Sequence, residues 1–421
     1  MTTSELVEVL LLQGGRNTTL VVMGTTLLGV AAGLVGVFGL LRRRSLMADT
    51  LSHAALPGIA GAFLVISAFG MPRSLGVLLL GATVAGVLGV LAVQGLTRYT
   101  RLREDAAMGI VLSVFFGVGI VMLSVIQNRP GAGQAGLKSF IYGQTAAMSP
   151  TDAVSIGVVA VFCLIATLLL QKEFVAVCFQ DEHARSLGWP VGVLDLAMMA
   201  LVVVVTVVGL QSVGVILIVA MLIIPPAAAR LWTDRVSAML WISALIGGMS
   251  GYTGACVSAL FPRKPAGSVI VLCAGALFLL SLLLAPRRGV LGELLRRIAG
   301  RVRMATDHAL ESLYEREIGV DASPPRRGVL LERLMALRGL VVLGPSGPGL
   351  TEKGRERGAR LRRNHLLWEQ YLISHADVAP SHVDWSVDQV EHVLSEDLVS
   401  QLERALASRG VSPPTPAEGG R

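Results

Sequence analysis

The chain has little charge. Only 15% of its 421 residues are Asp, Glu, Lys or Arg, while 53% are hydrophobic and the mean hydropathy is +0.66. A soluble protein of that make-up exposes more apolar surface than water tolerates, which excludes an ordinary soluble fold. Cysteine is scarce too. Cys163, Cys178, Cys256 and Cys273 form no Cys-x-x-Cys pair, and three lie in or beside apolar stretches, which excludes a disulfide framework and a zinc ribbon. There is no Gly-x-x-x-x-Gly-Lys-Ser/Thr phosphate loop, so the chain is not expected to be an enzyme that hydrolyses ATP. No Ala-x-Ala cleavage site closes the first apolar run, which is also too long for the core of a signal peptide, so it reads as a mature helix.

Long uncharged runs are present instead: Leu20–Leu41, Ser74–Leu96, Ala106–Gln127, Ala153–Gln171 and Leu196–Ala229. A hydrocarbon core about 30 Å thick needs about 20 helical residues, and these runs meet that length. Arg42, Arg43 and Arg44 close the first span and place that end in the cytoplasm; Arg98, Arg101 and Arg103 do the same two crossings later. Val191–Ala229, at 39 residues, is too long for one crossing, and two short crossings with a break near Gly209–Gly214 fit best. The count is nine spans, or eight if one segment is re-entrant. The net charge of +7 is assigned to basic loops at the inner membrane face rather than to nucleic acid. Glycines such as Gly29, Gly33, Gly36 and Gly39 are read as close helix contacts.

Beyond Arg287 the composition becomes that of a soluble domain. Helical periodicity runs through Leu291–Glu317, Arg327–Leu340, Glu352–Ala376 and Ser386–Leu406. Two short strands are predicted at Arg338–Val342 and Leu350–Gly354, around a Gly/Pro turn, with Thr351 capping the next helix. The expected organisation is a transmembrane domain over 1–290, a linker helix over 291–303, a cytoplasmic domain over 304–410 and a disordered tail over 411–421.

Asp49 and His53 demand a chemical account. They stand four residues apart on one helix face at the start of the second span, where ionisable groups are expensive. Carboxylate with imidazole suits Mn2+, Fe2+ or Zn2+, although an interfacial pair beside the arginines predicts the same letters. Pro57 and Gly58 are expected to open the helix just beyond, and Pro225 and Pro226 to distort a helix end.

At this point the chain resembles the ABC-type permeases that import manganese, zinc or iron. The resemblance is carried by Gly36–Arg43 with Asp49–Gly58, by Asp181–Gly188, by Gly214–Ala228 and by Pro265–Gly267. It implies an all-α polytopic membrane protein of the prokaryotic inner or plasma membrane. The implied partners are a cytoplasmic ATPase dimer, a second permease subunit (same or homologous), an extracellular metal-binding protein and membrane lipid. Asp49 and His53 match positions expected to coordinate the metal in transit. Asp181, Glu182, Ala184 and Gly188 lie in the segment matching the element that meets the ATPase. One departure is Pro226, where the family more often has alanine.

The tail holds five of the seven histidines. Asp388, Glu391 and His392 share a helix face one turn after Asp384; His365 pairs with Glu369, and His308 with Glu311. Surface helices of this make-up are common. The tail also resembles the iron- and manganese-dependent repressors of the diphtheria-toxin-repressor type, through Leu350–Gly354, Arg363–Glu369 and Val390–Ser395. That resemblance implies a mainly helical, truncated winged-helix and dimerisation-like domain that binds a divalent metal. His308, Glu311, His365, Asp388, Glu391 and His392 match ligands of its manganese-sensing branch, and Glu369 and Asp384 match an ancillary site. His308 and Asp388 replace the residues usual there. Only 35 residues separate Tyr314 from Leu350, too few for a complete helix-turn-helix and wing, which argues against DNA binding. The expected function is therefore the permease subunit of an ATP-driven divalent-metal importer with a metal-sensing tail. The competing classes are a membrane-tethered metal-responsive transcriptional regulator, disfavoured by the many Gly-rich spans, and an importer of metal chelates.

Overall fold

Uncharged runs with no neighbouring strand to pair with satisfy their backbone groups only as helices, and helices are what they form. The computed structural model describes residues 15–69, 75–128, 145, 148–261, 265–286, 288–320, 328–344, 347–375 and 396–408. The chain divides into two units, Met1–Gly292 and Glu293–Arg421.

The first unit contains α1 (Arg16–Leu41), α2 (Met47–Ala68), α3 (Leu75–Tyr99), α4 (Glu104–Gln127), α5 (Pro150–Leu169), the short α6 (Gln171–Phe179) and α7 (Asp181–Ser186), then α8 (Val191–Val213), α9 (Val215–Trp232), α10 (Val236–Leu260) and α11 (Ala266–Leu284). Among the described residues nine of these, all but α6 and α7, are long and apolar enough to cross a membrane. The break between α8 and α9 falls at Gly214, whose φ of 85° is a left-handed conformation that glycine adopts without strain.

Helix α1 is the most enclosed, packed by α10, α9, α5 and α8. Its glycines let backbones meet: a methyl group at Gly29 collides with the Gly247 carbonyl, and one at Gly33 with the Ser243 backbone. Ser243 Oγ donates to the Gly33 carbonyl at 2.6 Å, and Thr25 Oγ1 donates to the Gly251 carbonyl at 3.2 Å. Gly58 and Gly81 bring α2 and α3 equally close.

The prolines behave differently from expectation. α2 runs through Pro57 and Gly58 to Ala68, and α9 runs through Pro225 and Pro226 to Trp232. Neighbouring helices hold both stretches in place: Gly119 of α4 packs on Leu56 and Pro57, and Gly36 of α1 on Leu222 and Pro226.

The second unit begins within α12 (Val290–Glu317), so residues 291–303 run without a break into the helix that carries His308 and Glu311. It continues with α13 (Val329–Leu337), the antiparallel hairpin β1 (Val341–Gly344) and β2 (Gly347–Leu350), α14 (Glu352–His375) and α15 (Glu396–Ser408). Register pairs Val341 with Leu350 and Gly344 with Gly347. The strands sit tighter to the turn than expected, because Thr351 already caps α14: its Oγ1 accepts from the Gly354 amide at 3.0 Å. The core of this unit is Leu310, Met335, Leu340, Val341 and Leu361. Buried Asp307 is held by Arg357 at 2.7 Å. The expected tail 411–421 lies outside the described residues.

Candidate functional site

Asp49 stands in the first turn of α2, where the helix dipole favours a carboxylate. His53 follows one turn on, its Nε2 at 3.5 Å from Asp49 Oδ1. Both side chains are part-exposed. The imidazole stands edge-on to Phe116 of α4, centroids 4.9 Å apart, and its Nδ1 is buried with no hydrogen-bond partner among the described residues. Ser52, on the neighbouring face, spends its hydroxyl on the Ala48 carbonyl at 2.8 Å. Pro57 has no N–H to offer the His53 carbonyl four residues back.

Beneath this pair is an arginine–carboxylate network. Arg44, 7% exposed, donates to both oxygens of Asp195 on α8 at 3.0 and 2.8 Å. It also makes a two-pronged contact with Glu104 at the start of α4, at 3.0 and 2.6 Å. Arg42 reaches Asp195 at 3.1 Å, the Val177 carbonyl at 3.0 Å and Asp181 of α7 at 2.9 Å. Gln94 of α3 completes the shell of Asp195 at 3.0 Å. Burial alone would weaken the charge on Arg44, but Glu104 and Asp195 outweigh it and raise its pKa above the usual guanidinium range.

These contacts also test the topology. Alternating nine spans from a cytoplasmic α1 end puts the ends of α1, α3, α4 and α8 on one side, and all four meet in this network. Arg288 and Asp234, at 2.7 Å, lie on that side too. Asp152 and Gln211, joined at 2.8 Å, fall on the opposite side.

Helix α7 is the short element predicted to face an ATPase. Ala184 is fully buried, Glu182 is exposed, and Gly188 ends the segment with a left-handed φ of 79°. Asp181 ties it through Arg42 to Asp195.

In the second unit Glu311 and His365 come together, Nδ1 to Oε1 at 3.6 Å, both largely buried. His308 and Glu369 lie on the same two helices, α12 and α14. Asp384, Asp388, Glu391 and His392 lie outside the described residues. Among the described residues no group of three or more His, Cys, Asp or Glu is placed to hold a metal ion.

Residues 16–285 match the family model described as the ABC 3 transport family. The chain belongs to that family. Residues 351–415 of the permease match the metal-binding and dimerisation domain of the iron-dependent repressors. The permease is 36% identical to the manganese transport system membrane protein MntC of Bacillus subtilis (strain 168), over 92% of each chain. It is 42% identical to the zinc transport system membrane protein TroC of Treponema pallidum (strain Nichols), over 66% of this chain and 92% of that one. Among solved structures, PsaBC from Streptococcus pneumoniae in complex with Fab superposes with a TM-score of 0.58 at 30% identity, covering 68% of this chain and 98% of that chain. The permease is thus a multi-pass membrane protein with a mainly helical C-terminal domain of metal-binding-repressor type, and membership implies the usual partners of an ABC importer.

Sequence reasoning passed over Asp195, Glu104 and Gln94. Asp195 carried a signal: it is the one charged residue in the whole of Val191–Ala229.

Proposed function

We propose that the permease carries a divalent transition-metal cation, Mn2+, Fe2+ or Zn2+, past Asp49 and His53, driven by a separate ATPase that docks at Asp181–Gly188. The observation that carries this reading is the pairing on one turn of α2 of a carboxylate and an imidazole whose Nδ1 has no hydrogen-bond partner among the described residues. Two side chains are a partial coordination shell. Water and the second permease subunit are the sources that complete it. A weak, incomplete shell suits a cation that must leave again. The relatives' names differ in metal, and a mixed oxygen and nitrogen donor pair admits all three ions.

The C-terminal domain acts, in this proposal, as a cytosolic sensor of accumulated metal. Glu311 and His365 have the donor chemistry for a divalent ion and lie at a distance that one cation closes. His308, Glu369, Asp384, Asp388, Glu391 and His392 are the further candidate ligands. Metal biases transport only if it binds two states of this domain unequally. An assembled importer, with its ATPase and external binding protein, reconstituted into vesicles tests both parts. At least one of free Mn2+, Zn2+ and Fe2+ enters, and Asp49→Asn and His53→Ala each reduce that entry by about tenfold or more. Entry of chelated metal only, or unchanged entry in both variants, contradicts the ion-import reading. Glu311→Gln with His365→Ala abolishes slowing by internal metal; slowing that persists contradicts the sensor.

A further inference from the structure

Helix α12 changes character along its length. From Thr306 onward its residues enter the core of the second unit, Thr306, Asp307, Ala309, Leu310 and Glu311 all being buried. Its first four turns carry an apolar stripe that the described residues leave part-exposed. Leu291, Leu294, Leu295 and Ile298 stand at i, i+3, i+4 and i+7, each about half exposed, at 46, 51, 58 and 49%. The other faces are basic: Val290–Met304 holds Arg296, Arg297, Arg301 and Arg303 against Glu293 alone. Projected on a helix of 100° per residue, Arg297 and Arg301 flank one edge of the stripe, and Arg296 and Arg303 lie beyond the other. Glu293 is drawn toward Arg297 at 2.9 Å, which holds its carboxyl below the usual range.

We propose that Val290–Met304 lies in the inner membrane interface, with the Leu291–Ile298 stripe in the acyl boundary and its arginines on anionic lipid headgroups. Two observations select this occupant. The first is continuity. The last span ends at Leu284, the Gly289 amide closes a turn on the Ala285 carbonyl at 2.9 Å, and Arg288 is fastened to Asp234 in the loop between α9 and α10. Val290 is two residues past that fastening, so the stripe begins at the membrane face. The second is charge. Four arginines and one carboxylate complement an anionic surface. Two copies of this helix set stripe to stripe and antiparallel would instead bring Arg297 and Arg301 against their own counterparts along one edge, which opposes that pairing.

The test uses the full chain in nanodiscs, with Cys163, Cys178, Cys256 and Cys273 changed to alanine and one nitroxide label introduced at a time. Leu294→Cys and Ile298→Cys report the stripe, and Gly300→Cys reports the opposite face. Collision rates are measured with oxygen, which partitions into lipid, and with a water-soluble nickel chelate. In a mixture of phosphatidylcholine and phosphatidylglycerol, positions 294 and 298 collide several-fold more with oxygen than with nickel, and position 300 shows the reverse. In phosphatidylcholine alone, or with Arg296, Arg297 and Arg301 changed to Gln, nickel contact at 294 and 298 rises several-fold. Nickel dominance at all three positions in both bilayers overturns the proposal. So does shielding from both reagents with spin–spin broadening between copies, which assigns the stripe to a second chain, and so does oxygen contact indifferent to headgroup charge.

Discussion

Arg44 holds both carboxylate oxygens of Asp195 across 151 residues of sequence, at 3.0 and 2.8 Å, and both side chains are about 8% exposed. The pair fastens the turn before α2, and therefore Asp49, to the helix that follows the α7 segment. Removing a partner from a buried pair costs up to about 3–5 kcal/mol, and Asp195 is the acceptor shared by Arg44, Arg42 and Gln94, although Glu104 and Asp181 still hold one arginine each. Asp195→Ala is therefore expected to unfold well before wild type in a thermal melt of the purified permease. Asp195→Asn, which keeps an acceptor oxygen of the same shape for the arginines, loses less. An Asn variant no more stable than Asp195→Ala contradicts the account.

The contact of α1 with α10 leads to a second expectation. A methyl group at Gly29 meets the Gly247 backbone, which cannot swing aside, whereas none of the described residues lies within 4 Å of one at Gly95. Overpacking of this kind costs about 1–3 kcal/mol. Gly29→Ala lowers the melting temperature and Gly95→Ala leaves it unchanged or raises it; equal effects contradict the packing.

Much of this was legible in the sequence, and the exceptions have physical reasons. Spans are announced by the absence of charge, a local property, and the Gly214 break was visible as excess length. Partner identity is not local: Arg42 and Arg44 read as topology signals, and nothing near them points to Asp195 or Glu104. A reading by uncharged runs begins at Leu196, one residue past the network's hub. Pro57 shows the opposite failure. The local rule opens the helix there, but α3 at Gly58 and α4 at Gly119 pack on both sides and α2 continues. In the tail, spacing paired Glu311 with His308 and His365 with Glu369, whereas Glu311 and His365 meet across α12 and α14, a contact between helices that no local pattern shows.

Cys178, on α6 beside the network, gives a pH-dependent prediction. Burial pushes its thiol up to about 12, and nearby Arg42 offsets this only in part. The unfolded thiol ionises near about 8.5. The raised folded value means its contribution to stability is complete below about pH 8.5 and is lost as pH climbs toward about 12. With Cys163, Cys256 and Cys273 replaced by alanine, maleimide at pH 8 labels native Cys178 far more slowly than the denatured chain. Equal rates contradict the part-buried placement.

Anomalous X-ray scattering from the assembled importer, soaked with Mn2+ or Zn2+ and trapped with the cation inside, tests the central claim most directly. The account predicts a metal peak bonded to both the Asp49 carboxylate and the His53 imidazole, about 2.0–2.1 Å from the ring nitrogen for Zn2+. A transport-competent complex with its cation bound elsewhere along the path, and with neither side chain touching it, contradicts the account.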